Sequence, residues 1–242
     1  MKFKKFLQET FFNLKWRCNA CGNENFNGEY FCDECKNTLP VLKENKCEHC
    51  GRLTAYSIPF CDSCIEKNVN YDKARSLFSY EVPIDLLVQS FKYDAKLYLA
   101  DIFSDLFIET YLSNFSDTDI ITFVPSTENS LKERGYNQSF ILADRLSKRL
   151  NVKLENTAIK TKDTERQATL NYNERLENLK GVFKLENVDV KDKNILLIDD
   201  VLTTGTTADI LAKLYKNKGA NKVYVLTIAS VSKVKYKTLN NS

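Results

Sequence analysis

NILLIDDVLTTGTT, residues 194–207, is the stretch of this 242-residue sequence that decides the fold. Its four consecutive apolar residues, 195–198, predict a buried strand over 194–200 that ends in the acid pair Asp199 and Asp200. A short threonine-rich turn with one glycine comes next, and a helix is predicted over 206–217. Wholly apolar strands are typical of parallel sheets that helices cover on both faces. The segment therefore predicts an α/β domain.

Strands and helices alternate through the rest of this part of the chain. Strands are predicted over 119–125 and 222–228, and a helix over 137–150. Two more helices are predicted from apolar residues at helical spacing: Ile84, Leu87, Val88 and Phe91 after Pro83, then Leu99, Ile102, Phe103, Leu106 and Phe107. This alternation predicts a parallel sheet flanked by helices, formed by residues 72–242.

The cysteines mark a second unit, because all eight lie between positions 18 and 64. They form an internal duplication with a shift of 29 residues: Cys18, Cys21, Cys32 and Cys35 recur as Cys47, Cys50, Cys61 and Cys64. Within each repeat, two CxxC pairs are separated by ten residues. Such turns direct four thiolates at one tetrahedral metal. Residues 1–67 are therefore predicted to be a module with two structural zinc ions.

Other interpretations of the cysteines are weaker. Disulfides are disfavoured because the sequence shows no secretory signal, and redox CxxC motifs generally occur singly. The duplication favours sequential pairing of the ligands, but the spacing alone leaves a cross-braced pairing open. All four thiols accompany His49 in the second repeat, so we expect no ligand role for this side chain.

Charge and hydropathy limit the protein's environment. The net charge of +3 is too small to indicate a nucleic-acid partner by itself. The N-terminus lacks the apolar run of a signal peptide, and no segment reaches the roughly 18 apolar residues that predict a membrane span. We therefore expect a cytoplasmic protein without a membrane span.

The histidine content excludes several kinds of catalytic site. His49 is the only histidine, and it lies in the cysteine-rich part of the chain. The α/β domain therefore has no Ser/His/Asp triad, no Cys/His nucleophile and no histidine metal centre. Its chemistry must depend on carboxylates, on phosphate binding and on a bound metal.

The turn after the acid pair predicts a phosphate site. Helix N-termini present unpaired N–H groups and partial positive charge, and Gly205 lets the backbone approach an anion. Four hydroxyls adjoin this glycine, on Thr203, Thr204, Thr206 and Thr207. Asp199 and Asp200 can accept hydrogen bonds from ribose hydroxyls, so the segment predicts a site for ribose 5-phosphate. The alternative is a solvated acid pair before a threonine-capped helix.

These residues resemble the phosphoribosyl pyrophosphate (PRPP) motif of type I phosphoribosyltransferases. Further segments narrow the resemblance to the ComF family, which is related to amidophosphoribosyltransferases. They are CxxCG, ARSLFSYE (74–81), FKYDAKLYLA (91–100), VPS (124–126), ERGYNQS (133–139) and RQATLNYNERLENLKGVF (166–183). They occur in the family's order and cover about positions 18 to 230.

The resemblance implies further site residues. Pro125 and Ser126 would lie in the pyrophosphate loop, although Ser126 and Thr127 replace the second VP-like pair that the family often has. The other residues implied for PRPP binding are Arg134, Asn137 and Gln138 at the start of the next helix, Arg166 and Gln167 in a mobile loop, and Lys92. Solvated surface roles are the alternative for Lys92 and for the group at the helix start. The implied catalytic residues are Asp199, Asp200 and Arg166, and Mg²⁺ would accompany PRPP.

The resemblance leaves two classes of function open. In one, the protein binds PRPP and acts in natural transformation, with single-stranded DNA and the competence helicase ComFA as partners. In the other, it is an active phosphoribosyltransferase with an unknown acceptor. A third hypothesis, a zinc-ribbon nucleic-acid module fused to a salvage transferase, would require an acceptor pocket that the sequence does not reveal.

Overall fold

A computed structural model describes residues 17–42, 45–161, 181–186 and 188–231. The strands are β1 (Lys73–Ser79), β2 (Ile120–Phe123), β3 (Lys153–Leu154), β4 (Ala158–Lys160), β5 (Phe183–Leu185), β6 (Asn194–Leu202) and β7 (Lys222–Ser230). Five of them form a parallel sheet in the order β1-β7-β6-β2-β3, while β4 and β5 form a separate antiparallel pair. The predicted parallel sheet is confirmed.

The helices are α1 (Asp33–Thr38), α2 (Asp62–Lys67), α3 (Ile84–Tyr93), α4 (Tyr98–Asn114), α5 (Glu128–Arg134), α6 (Gln138–Leu150) and α7 (Thr206–Asn217). The predictions for α3, α4, α6 and α7 are confirmed, and β6 and β7 each extend two residues beyond their predicted ends. Helix α5 was not predicted, because its sequence ENSLKER contains a single apolar residue and so has no periodicity. In the described part of the chain, no helix is both long and apolar enough to cross a bilayer.

Apolar side chains cover both faces of the sheet. Along β6, Leu196 and Ile198 pack with helices α3, α4 and α6, whereas Ile195 and Leu197 pack with α7 on the opposite face. This alternation is the two-residue period of a strand, and all four side chains are fully buried. Burial on both faces explains why residues 195–198 of β6 are continuously apolar.

The cysteine-rich unit covers the outer edge of the sheet at β1. Backbone N–H groups of Leu42 and Ser79 donate to the carbonyls of Leu77 and Pro40, at 3.0 and 2.8 Å. The N–H of Ala74 donates to the carbonyl of His49 at 2.7 Å. An unpaired edge strand would present these groups to solvent and invite association with other chains. The connection between the two cysteine repeats and His49 of the second repeat therefore pair with the outer edge of β1.

Candidate functional site

A crevice opens between β2 and β6 at the carboxyl ends of the strands. Pairing between them ends at Phe123 and Ile198, and β6 continues to Leu202 without this neighbour. From β2 the chain continues to β3 on one side, while from β6 it continues to β7 on the other. The crevice is therefore a topological switch point of the sheet, where α/β proteins place their ligands.

The acid pair lies at this crevice and has one side-chain partner from α6 and one from α3. The Oδ1 of Asp199 accepts hydrogen bonds from Ser139 Oγ and from the N–H of Asp200, both at 2.9 Å. The Nζ of Lys92 forms an ion pair with Oδ2 of Asp200, also at 2.9 Å. These side chains of Lys92 and Asp200 are 20% and 13% exposed, so water screens the pair only in part. Of the predicted residues, the structure brings Lys92, Asp199 and Asp200 together.

The pKa of Asp199 is raised to about 7, mainly by burial and in addition by the neighbouring negative charge of Asp200. The cation of Lys92 and the hydrogen bonds from Ser139 and from the backbone of Asp200 oppose the rise. A carboxyl group that titrates near neutral pH can donate or accept a hydrogen bond. The acid pair is therefore suited to binding hydroxyl groups.

The phosphate loop, Thr203–Gly205, joins β6 to α7. Gly205 has a φ of +79°, in the left-handed region that side chains disfavour, and it precedes the first helical residue. Glycine has no side chain with which to cap the helix, and the N–H of Thr206 makes only a long bond of 3.5 Å to the hydroxyl of Thr204, so the start of α7 is suited to an anion. Thr203 is exposed and Thr207 half-buried, whereas the buried Thr206 bonds its hydroxyl to that of Thr204 at 2.8 Å.

The loop after β2 has a local structural role as well as a position beside the crevice. Pro125 and Ser126 line a groove, together with Asn137 from the start of α6. Thr127 caps α5, because its hydroxyl accepts a hydrogen bond from the N–H of Ser130 at 3.2 Å. The Thr127 that departs from the family's pattern therefore begins a helix.

Arg134 lies in a different element from the one predicted. It ends α5 and does not begin α6, because Gly135 takes a left-handed conformation with a φ of +79° and terminates α5. The Arg134 guanidinium lies 5.0 Å from the ring centroid of Tyr93 and donates to Gln138 Oε1 at 3.3 Å. It therefore stands beside the C-terminal end of α3, next to Lys92.

The two predicted amides do begin α6, but they hold bonds within the protein. Asn137 is the N-cap of α6, accepting from the N–H of Phe140 at 3.1 Å and donating to the carbonyl of Val124 at 3.0 Å. Gln138 donates to the carbonyl of Lys92 at 3.2 Å. These bonds fix α6 against β2 and α3. Arg166 and Gln167 lie outside the described residues.

Ser139 is a site residue that the sequence interpretation missed. It ends the quoted segment 133–139, and its position in the first turn of α6 brings its hydroxyl to Asp199. Only its position at the end of this motif could have indicated a site role for Ser139. A single serine gives no sign of a contact with a strand residue 60 positions away.

The cysteines form two groups of four within the described chain, and each group comes from one repeat. The sequential pairing is therefore the one present. Sulfur–sulfur distances are 3.6 to 3.9 Å for the close pairs in these groups. Tetrahedral zinc with Zn–S bonds of about 2.3 Å requires a separation of about 3.8 Å, so both groups fit the metal. The ring of His49 stacks on Tyr71 and makes a tilted contact with Phe60, and His49 is not part of the second group.

Comparisons with known proteins match a domain family to each of the two parts of the chain. Residues 137–238 match the phosphoribosyl transferase domain, and residues 13–65 match the double zinc ribbon domain. Competence protein F of Haemophilus influenzae is 28% identical over 232 residues, which cover 91% of this chain and 98% of that protein. DNA utilization protein YhgH of Escherichia coli is 30% identical over 185 residues, 74% of this chain and 81% of that protein.

A third relative also carries a competence name. Competence protein ComFC of Bacillus subtilis is 26% identical over 201 residues, which cover 79% of this chain and 80% of that protein. These relatives are matched over most of their own length, and the match to Competence protein F covers enough of this chain to include residues of both the zinc-ribbon and the transferase-like parts. The chain belongs to the ComF family, as a double zinc ribbon joined to a phosphoribosyltransferase-like domain.

Proposed function

We propose that this protein binds PRPP in the crevice between β2 and β6 and acts in competence or DNA utilization. The observation that carries the proposal is the position of the acid pair, which five residues separate from a helix whose N-cap is a glycine without a side-chain cap. A ribose 5-phosphate needs both features, an anion site and acceptors for two hydroxyls.

Each part of the crevice has a role in this proposal. The phosphate loop and the first turn of α7, through Thr207, bind the 5-phosphate with N–H and hydroxyl donors. Asp199 and Asp200 accept hydrogen bonds from the ribose hydroxyls. Pro125 and Ser126 face the pyrophosphate, which brings Mg²⁺ as its counter-ion. Lys92, now paired with Asp200, supplies a cation beside the pyrophosphate.

We propose single-stranded DNA as a partner of the zinc-ribbon unit. Phe26, Tyr56 and Phe60 are 75%, 70% and 53% exposed, as stacking on bases requires. Two other aromatic residues of this unit are engaged within the protein: Phe31 is buried, and Tyr30 donates its hydroxyl to Asp105. DNA affinity should fall steeply with added salt if lysines and arginines contact phosphates. Replacing Tyr56 and Phe60 with alanine should weaken binding.

We further propose that residues 1–67 and 72–242 are the two units of a cytoplasmic protein, and that the competence helicase ComFA is its protein partner. The family's place in DNA handling supports this partner. Pull-down of the helicase by the full chain tests it. Failure to recover the helicase at micromolar concentrations of both proteins would remove ComFA from the proposal.

A transformation assay tests the proposed function. Cells that carry Asp199→Asn or Asp200→Asn should take up DNA poorly if the PRPP site belongs to the working mechanism. Normal uptake with both variants would show that the site is dispensable for DNA uptake. Pyrophosphate release, followed with and without single-stranded DNA, separates binding from turnover. Binding without release supports the proposal, and release would instead support a transferase in which Asp199, Asp200 and Arg166 are catalytic.

A further inference from the structure

The two cysteine repeats differ in what they contact, although their sequences are duplicated. Cys18 and Phe31 of the first repeat pack with helices α3, α4 and α6 on one face of the sheet. The four cysteines of the second repeat pack on the opposite face, in the same apolar cluster as Ala208 and Leu211 of α7. The second repeat therefore lies on the side of the sheet that holds the helix of the phosphate loop.

Polar contacts join the end of the second repeat to the phosphate loop and to α7. The Nζ of Lys67, the last residue of α2, donates to the carbonyl of Thr204 at 3.2 Å. The backbone N–H and the side-chain amide of Asn70 both donate to Oδ1 of Asp209, at 2.5 and 2.9 Å. Asp209 lies in the first turn of α7 and is 4% exposed. These bonds connect the phosphate loop and the first turn of α7 to the end of the second repeat.

Tyr71 fills the space between the second zinc centre and Gly205. Its side chain is buried, one face of its ring stacks on His49 with centroids 5.3 Å apart, and its hydroxyl lies 3.6 Å from where a Gly205 Cβ would be. Cys50, Cys64 and the phosphate loop line the same small cavity of about 20 Å³. Such a space admits about one water molecule, so little solvent lies between the second cysteine group and the loop at this point.

We propose that the second zinc centre positions the phosphate loop, and that it does so through the contacts of Lys67, Asn70 and Tyr71. The proposal rests on the proposed function for the role of the loop, because it assigns the loop to the 5-phosphate. A loop that binds an anion must hold its N–H groups in fixed positions, and the bonds from Lys67 to Thr204 and from Asn70 to Asp209 can fix the loop and the helix start. Loss of zinc from the second centre should weaken phosphate binding although no zinc ligand contacts the phosphate.

Matched substitutions in the two repeats test this coupling in the full chain. Cys35→Ser and Cys64→Ser each remove the fourth ligand of one repeat. We expect each variant to lose one zinc. We expect Cys64→Ser to exchange the amide hydrogens of residues 203–209 at least about tenfold faster and to lose at least about tenfold in affinity for Mg–PRPP. Cys35→Ser should keep the wild-type exchange rate at 203–209.

A second pair of variants keeps all eight cysteines, so that its result does not depend on loss of zinc or of folding. Lys67→Met removes the bond to Thr204, while Lys36→Met changes a lysine of α1 that pairs with Glu29 at 2.6 Å inside the first repeat. Both variants should retain two zinc ions. Only Lys67→Met should speed exchange at 203–209.

The exchange measurement needs no ligand, so it separates this inference from the proposed function. Equal exchange at 203–209 in both variants of each pair would overturn the coupling, whatever the protein binds. A wild-type protein that fails to bind Mg–PRPP would overturn the proposed function and leave the exchange result standing.

Discussion

Asp199 and Asp200 are adjacent in sequence but have different surroundings. Asp199 receives hydrogen bonds from Ser139 and from the backbone, whereas Asp200 faces the cation of Lys92. The sequence predicted both acids at the end of a strand, because an apolar run followed by two acids is a strong local signal. It could not predict Ser139 as a partner, because that contact depends on how α6 packs on the sheet.

The raised pKa of Asp199 predicts a pH-dependent stability. Its folded-state pKa of about 7 lies above the ordinary value of 3.8, so the folded protein binds more protons than the unfolded chain between these values. Stability contributed by this group is therefore present below about pH 4 and is lost as pH rises to about 7, by up to about 1.4 kcal/mol per pH unit. Urea unfolding of the wild type and of Asp199→Asn at pH 5 and pH 8 measures this effect. The variant should lose less stability than the wild type between the two values.

Asp144→Asn is the control for this measurement, because Asp144 lies in a partly exposed ion pair with Lys148. It should keep the pH dependence of the wild type. Identical pH profiles for the wild type and Asp199→Asn would show that Asp199 titrates near its ordinary pKa.

Lys92 gives a second prediction at the residue scale. Replacing it with methionine leaves Asp200 without its cation and removes a positive charge from the crevice. We expect an affinity for Mg–PRPP at least about tenfold lower, as for the loss of a charge-assisted contact. Lys96→Met is the matched control, because Lys96 is near in sequence but bonds to Ser90. Equal losses in the two variants would argue against a specific role for Lys92.

At the scale of elements, sequence predicts long periodic segments and misses short ones. Strand β6 and helix α7 could be located because nine strand residues and twelve helix residues carry a clear pattern. Strand β3 has two residues and β4 has three, too few to show a period. The contact between Asn70 and Asp209 joins residues 139 positions apart, so it follows only from tertiary packing.

The phosphate loop gives a prediction at this scale. Gly205→Ala forces a side chain into the left-handed region, which costs about 1 to 2 kcal/mol, and shifts the N–H groups that should meet the phosphate. Gly219→Ala is the control, because Gly219 lies beyond the other end of α7 with a φ of +90°. Both variants should lose similar stability in urea unfolding, and Gly205→Ala alone should lose affinity for PRPP. Unchanged affinity in Gly205→Ala would contradict the assignment of the loop.

At the scale of the whole molecule, the zinc ribbons and the sheet stabilise each other. The cysteine groups pack in both apolar clusters, and the connection between the repeats pairs with the edge strand β1. The cysteine spacing predicted two zinc sites of four thiols, but it left their pairing open and gave no sign that the module covers a sheet edge. That arrangement requires contacts between segments with no shared sequence pattern.

Zinc removal should therefore weaken the α/β domain as well as unfold the ribbons. Small metal modules fold with their metal, and here the loss also uncovers β1 and parts of both apolar clusters. We expect about two zinc ions per chain by metal analysis and a melting temperature lower by several degrees after chelation. Melting of the sheet at the same temperature with and without chelator would show that the two parts are independent.

Titration calorimetry with Mg–PRPP tests the central claim most directly. The wild-type protein should bind one PRPP per chain, and Asp199→Asn and Asp200→Asn should each bind at least about tenfold more weakly, because each loses a charged acceptor for ribose hydroxyls. Asp144→Asn should bind as the wild type does. Absence of binding by the zinc-loaded wild-type protein, or equal affinity in all three variants, would contradict the assignment of this crevice as a PRPP site.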